Sequence, residues 1–265
     1  MLTVMSFNIR QACDTGTEAW EVRRIPLASL IKDKNPDLIG FQEVLHSQHL
    51  DLVAAFPEYH FVGVGRNDGV NEGERASIFY KKDRFTYLDS GNMWLSETPD
   101  TPSFGWDAKC IRICTHVKLS DNETGQTFIH FNTHLDHYGQ TAMYEGAKQI
   151  CDSIHKYGTP AFVTGDFNVV EKSAPYNVMI QNGLCDAKYS AKSSMSYGTF
   201  HGYGQYNPGE DVSQKSPIDY IFFMDGLFDI ESYEVVVNGG KGKYSSDHYP
   251  VLVKMTQING RKTLF

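Results

Sequence analysis

The stretch Ala161-Phe162-Val163-Thr164-Gly165-Asp166-Phe167-Asn168 decides how this chain folds. Its start, Ala161-Phe162-Val163, has the apolar content of a central strand, and Gly165 opens it into a polar end carrying Asp166 and Asn168. A buried carboxylate without compensation costs roughly several kcal/mol, so a strand that ends this way calls for a partner. The pattern recurs along the chain. In Ile39-Gly40-Phe41-Gln42-Glu43, the period of two puts Ile39, Phe41 and Glu43 on one face, so that an apolar row ends in a carboxylate. Val4, Ser6 and Asn8 form a similar row, and His130, Asn132 and His134 share one face of 128–134. Asp219 opens the strand that follows Ser216-Pro217-Ile218, and Ser245-Ser246-Asp247-His248 precedes the apolar Val251-Leu252-Val253. One such residue reads as a turn cap. Several at strand ends, with Glu, Asp and Asn among them, read as a shared site of hard oxygen donors suited to Mg²⁺ or Mn²⁺ and not to zinc.

Working outward, strand-like segments fall near 3–8, 37–42, 60–65, 76–81, 111–119, 127–134, 161–165, 218–224, 230–237 and 249–255. Helical periodicity covers 20–34, with an apolar side of Ile25, Leu27, Ala28, Leu30 and Ile31 and with Pro26 in the first turn. It returns at 46–55, and at 140–156 through Ala147, Ile150, Cys151 and Ile154. Some strands follow helices and others form hairpins, so the expected class is α/β (α+β) with mixed sheets. Residues 1–265 read as a single domain. Two long loops are expected, 91–109 with Trp94, Phe104 and Trp106, and 187–217 with Tyr189, Tyr197, His201, Tyr203 and Tyr206. Their aromatics have two readings, stacking on a base or sugar and packing of the loops themselves.

Bulk properties narrow the partners. A chain of 265 residues, 41% hydrophobic and with net charge −8, holds enough apolar material for a core and has no basic stripe. Duplex nucleic acid is therefore disfavoured as a partner, because phosphate contacts dominate such binding. The five cysteines show no CxxC spacing and read as free thiols in a reducing compartment. No apolar run approaches the roughly 20 residues of a membrane helix, and a cytoplasmic location is the default expectation, a removed signal aside. The chain lacks a P-loop, an HExxH helix, a GxSxG elbow and a GxGxxG turn, which sets aside the chemistries they serve.

Taken together, SFNIR (6–10), FQEV (41–44), FNTHLDH (131–137), GDFN (165–168), IDYIFF (218–223) and SSDHYPV (245–251) resemble the endonuclease/exonuclease/phosphatase family over nearly the whole chain. The resemblance implies a four-layer sandwich, with two mixed β-sheets face to face and helices outside. It implies a metal-dependent phosphoric-ester hydrolase using Mg²⁺ or Mn²⁺. Glu43 resembles the principal metal ligand, with Asn8 and Asp247 beside it. Asp166 resembles the residue that activates water, and Asn168 one that touches metal or phosphoryl oxygens. His134 and His248 resemble the two catalytic histidines, and Asp219 the carboxylate orienting His248. Glu74 and Arg112 fall where some members keep a partner for that first histidine and a phosphate contact. Asp136 and His137 follow His134, as substrate selectors or as loop structure. The expected substrate is a small phosphorylated molecule or a single-stranded nucleic-acid end. The alternative is an inactive binding or scaffold protein on the same fold, which would have lost some of these residues.

Overall fold

The computed structural model describes residues 1–205, 216–239 and 244–258. Its first half runs β1 (Leu2–Asn8), α1 (Trp20–Lys34), β2 (Leu38–Gln42), α2 (His46–Ala55), β3 (Tyr59–Val62), β4 (Ile78–Lys81) and β5 (Phe85–Trp94). Then come β6 (Ile113–Asp121), β7 (Thr127–His134), α3 (Gln140–Tyr157), β8 (Ala161–Asp166), α4 (Ala174–Gln181) and β9 (Leu184–Asp186). The chain continues through α5 (Ala187–Ser190), β10 (Ser193–Met195), β11 (Asp219–Met224), β12 (Phe228–Val235) and β13 (Val251–Gln257).

The strands form two mixed sheets, one of seven in the order β10-β12-β13-β1-β2-β4-β3 and one of six in the order β5-β6-β7-β8-β11-β9. Each sheet has a parallel pair at its centre, β1 with β2 and β7 with β8, joined by a helical crossover. Inner faces of both sheets share one core cluster, which continues through the second sheet to α3 and α4; α1 and α2 cover the first sheet's outer face through Met5, Phe7, Ile39, Phe41 and Phe79. This is the four-layer sandwich expected.

Several local expectations change. Helix α1 buries Trp20, Arg23, Leu27 and Ile31 and packs half-buried Ala28 and Leu30 against the same layer, so the expected apolar side holds except at Ile25, which is 70% exposed. Pro26 sits inside this helix, past its first turn, where its missing N–H leaves the carbonyl of half-exposed Val22 to water. Residues 85–94 form the edge strand β5, whose first part is mostly exposed and whose polar sequence hides the strand signal. The 187–217 stretch begins with a helical turn and a short strand; Tyr206 lies outside the described residues.

A polar layer joins the sheets just beneath the site. Gln42 Nε2 donates to Asn132 Oδ1 (2.7 Å), and Asn132 Nδ2 donates across the gap to the carbonyls of Phe41 and Ser77 (2.8 and 3.0 Å). Thr164 Oγ1 donates to Asn132 Oδ1 and meets His130 Nε2 at 2.8 Å. Gly40 makes this approach possible, because a Cβ there would collide with Thr164 Oγ1 and Asn132 Oδ1.

Candidate active site

The carboxyl ends of the two central parallel pairs meet. Asn8 ends β1, Glu43 follows β2, His134 ends β7 and Asp166 ends β8. Ligand sites commonly form beyond such strand ends. Glu43 does not continue the row of Ile39 and Phe41, which face the α1–α2 layer. Its backbone is left-handed (φ 62°), which breaks the alternation and turns its side chain to Asn8. Asn168 is left-handed too (φ 52°). Such a conformation costs a residue other than glycine about 1–2 kcal/mol, and at both positions the surrounding hydrogen bonds hold it.

Asn8 Nδ2 bridges Glu43 Oε1 (3.0 Å) and Asp166 Oδ2 (2.9 Å), while Glu43 Oε2 accepts from the Gln11 amide (3.0 Å). Burial would raise the Glu43 carboxyl, but the Gln11 and Asn8 donors, with His248 and Arg10 nearby, hold it below its usual range. Asp247 is raised, first by burial and then by the like charge of Glu43, against His248 and Arg10. The Arg10 guanidinium stands 3.9 Å from Glu43 and 3.8 Å from Asp247, beyond hydrogen-bond reach, and is engaged with Asp14. Glu43 and Asp247 thus offer hard oxygen donors whose charge is only partly compensated, a pair that fits a divalent cation. Asn8, its Oδ1 taken by the Arg10 amide, holds Glu43 in place through Nδ2.

Asp166 lies between the histidines, its Oδ2 3.5 Å from His134 Nε2 and 3.8 Å from His248 Nε2. Burial, then the charge of Asp219, raises Asp166 above the usual carboxylate range, against the opposing pull of His248 and Asn8. Its Oδ1 accepts from the Asn168 amide at 2.9 Å. Asn168 Nδ2 donates to the Leu135 carbonyl and lies 3.0 Å from His134 Nε2. Burial, with Arg112, Arg66, His248 and His137 around it, holds His134 well below its ordinary value, so this imidazole is neutral. The opposite holds at His248. Burial alone would lower it, but Asp219, bonded to Nδ1 at 2.9 Å, overcomes that together with Asp166 and Asp247 and keeps it protonated. The close approach of Asp166, Asp219 and His248 is accounted for by this bonded pair.

A cavity of about 390 Å³ opens here, lined by Glu43, Glu74, Arg112, His134, His137, Asp166, Asn168, Asp247 and His248. Three other residues singled out in the sequence support the lining from behind. Asn8 bridges beneath, Asp219 holds His248, and Asp136 organises a loop by accepting from the amides of Lys109, Cys110, Tyr138 and Gly139. With its lone pairs so occupied, Asp136 is a poor metal ligand, although Cys110, Asp136 and His137 converge. Glu74 Oε2 bonds Arg66 Nη1 and stands 3.8 Å from both Arg112 Nη1 and His134 Nδ1. Arg10, Gln11, Arg66, Cys110, Phe200 and Ile218 also line the cavity. Of these, Arg10 was visible in SFNIR and Ile218 in IDYIFF; the others carry no local signal. Among the loop aromatics, Trp94 is buried and donates to the Arg66 carbonyl, and Tyr203 donates to Asp14, so both pack the loops.

The Endonuclease/Exonuclease/phosphatase family profile matches residues 5–248. A crystal structure of the endonuclease/exonuclease/phosphatase from Bacteroides vulgatus is similar, with a TM-score of 0.90 and 36% identity over 97% of this chain and 99% of that one. So is the mannosyl-6-phosphatase of Bacteroides thetaiotaomicron, with a TM-score of 0.89 and 34% identity over 97% and 100%. An uncharacterized protein of Acanthamoeba polyphaga mimivirus is 32% identical over 145 residues, 51% of this chain and 54% of that relative's length. Members of the family are generally divalent-metal dependent. The chain belongs to the Endonuclease/Exonuclease/phosphatase family of phosphoesterase hydrolases.

Proposed function

We propose that this enzyme is a Mg²⁺- or Mn²⁺-dependent phosphomonoesterase of small phosphorylated sugars, cleaving the ester by in-line attack of water. The observation that carries the reading is the placement of Asp166 Oδ2, 3.5 Å from one histidine and 3.8 Å from the other. Its raised proton affinity suits a base. Asp166 orients the water and takes its proton. His134 and Asn168, whose ring and amide nitrogens meet at 3.0 Å, hold phosphoryl oxygens by exchanging that mutual contact for the substrate. The His248 imidazolium, its tautomer and orientation fixed by Asp219, meets the charge that develops on the ester oxygens and returns a proton to the leaving alkoxide. Glu43 and Asp247, with Asn8 beside them, would hold the cation, which when bound neutralises phosphoryl charge as a Lewis acid.

The substrate class rests on two supports. The cavity, at about 390 Å³, suits a small molecule, and a relative 34% identical over its full length is named a mannosyl-6-phosphatase. Arg10 is engaged with Asp14 and Arg66 with Glu74, which leaves little basic surface to track a nucleic-acid strand. The test is a substrate panel of mannose 6-phosphate, bis-p-nitrophenyl phosphate, poly(A) and single-stranded DNA, each with Mn²⁺ and with EDTA. Metal-dependent hydrolysis is expected, with kcat/KM highest on the sugar phosphate. Faster turnover of poly(A) or DNA would overturn the substrate class, and EDTA-resistant hydrolysis would overturn the metal dependence.

A further inference from the structure

Arg23 is the largest fully buried side chain of the described residues, on the first turn-and-a-bit of α1 and 0% exposed. All five of its N–H groups go to backbone carbonyls. Nε donates to Glu18 (2.6 Å), Nη1 to Ile9 (2.7 Å) and Ser245 (3.2 Å), and Nη2 to Arg10 (3.1 Å) and Gln11 (3.3 Å). A carboxylate approaches at 4.0 Å, that of Asp14, and the rings of Trp20 and Tyr203 stand 5.7 and 5.8 Å from the guanidinium carbon. A buried ion bonded mainly to carbonyls adds little to stability compared with an apolar residue of similar size. What it does provide is direction.

The segments it joins, 9–11 and the loop at Ser245, are far apart in sequence, Ser245 lying 222 residues beyond Arg23 itself, and both belong to the site. Ile9, Arg10 and Gln11 follow Asn8; the Gln11 amide bonds Glu43, and the Arg10 amide bonds Asn8 Oδ1. Ser245 precedes Ser246, whose hydroxyl donates to the Asn8 carbonyl and accepts from the His248 amide. Asp247 and His248 therefore hang from a loop whose spacing to the Asn8–Gln11 loop is set by one planar fork. We infer that Arg23 is a positioning residue, fixing the distance between the Glu43–Asn8 and Asp247–His248 halves of the site without reaching the cavity. Lysine carries the same charge but offers three donors from one point, so it cannot span five carbonyls in a plane.

This inference rests on the cation site proposed above, and its test reads that site directly. Mn²⁺ affinity is measured by electron paramagnetic resonance on the wild-type and R23K proteins, alongside kcat, KM and thermal unfolding. R23K is expected to unfold cooperatively and, well below its midpoint, to bind Mn²⁺ about 10- to 100-fold more weakly with a similar fall in kcat. A second variant, R23G, is assayed with and without methylguanidinium, which should restore Mn²⁺ affinity and turnover together. Wild-type Mn²⁺ affinity and kcat in R23K, or restoration of folding alone in R23G, would overturn the inference and leave Arg23 a fold residue. Failure of both variants to fold under any of these conditions would count against it equally. A wild-type protein that binds no Mn²⁺ would instead overturn the proposed function.

Discussion

The β1–α1–β2 and β7–α3–β8 units have the same outline, a parallel pair with a helical crossover, yet they are fastened differently. Helix α3 buries Ala142, Met143, Gly146, Ala147, Ile150, Cys151 and Ile154, an apolar face against the second sheet. Helix α1 buries four residues over its fifteen, and one is the arginine that holds the site loops. Hydrophobic contact is non-directional and scales with area, so the α3 unit supplies stability. Hydrogen bonds from a rigid fork are directional, so the α1 unit supplies geometry. The strand ends differ in the same sense. The first unit delivers Asn8 and Glu43, the proposed cation side, and the second delivers His134 and Asp166, the proposed water and phosphoryl side.

The sharpest way to break this comparison is to mutate one strand-end residue of each unit. Asp166→Asn should cut turnover by about 10²–10⁴-fold, the usual range for a lost general base, with Mn²⁺ affinity largely retained. Glu43→Ala should weaken Mn²⁺ binding by at least about tenfold, and turnover with it, comparable to outer-shell losses or larger. Equal loss of Mn²⁺ affinity in both variants, read by titration, would erase the distinction. A smaller effect is expected inside α3. Ile150→Ala should lower unfolding free energy by about 2–5 kcal/mol while leaving kcat per folded molecule unchanged; altered kcat at low temperature would tie α3 to the chemistry.

The smallest effect concerns pH. His130, in the second unit, is fully buried against Phe162, and burial pushes it from 6.5 down to about 3. It stays neutral in the folded protein but takes a proton in the unfolded chain below pH 6.5. Its contribution to stability is therefore whole above that value and is lost as pH falls toward 3. In urea melts between pH 6 and 4, His130→Gln should flatten the dependence of unfolding free energy by about 1.4 kcal/mol per pH unit. An unchanged slope would show that His130 is protonated in the fold.

Much of the fold could be read in advance because buried strands such as β8 and β11 are apolar on both faces and end in distinctive polar residues. The candidate site residues stood out for the same reason, since Asp166, Asp219 and His248 stand where apolar runs break, and the family resemblance supplied their expected roles. What escaped detection had weak or misleading local patterns. Strand β5 lies at a sheet edge, where exposure removes the need for alternation. The direction of Glu43 depended on a left-handed residue that period-two reasoning cannot register. Arg23 carries no local signal, because its acceptors are backbone carbonyls, which every sequence has and none displays. Arg66 and Phe200 reach the cavity from loops whose course is set by tertiary contacts.

Gly40 bears on how such an enzyme could be retuned. The closeness of the two sheets is calibrated by an absent methyl group, two residues before Gln42, with Thr164 two residues before Asp166 on the facing strand. Any side chain there would act as a wedge, levering apart the Glu43 and Asp166 ends and altering the distance between those two carboxylates. The width of the candidate site is thus encoded at a buried position outside the lining of its cavity.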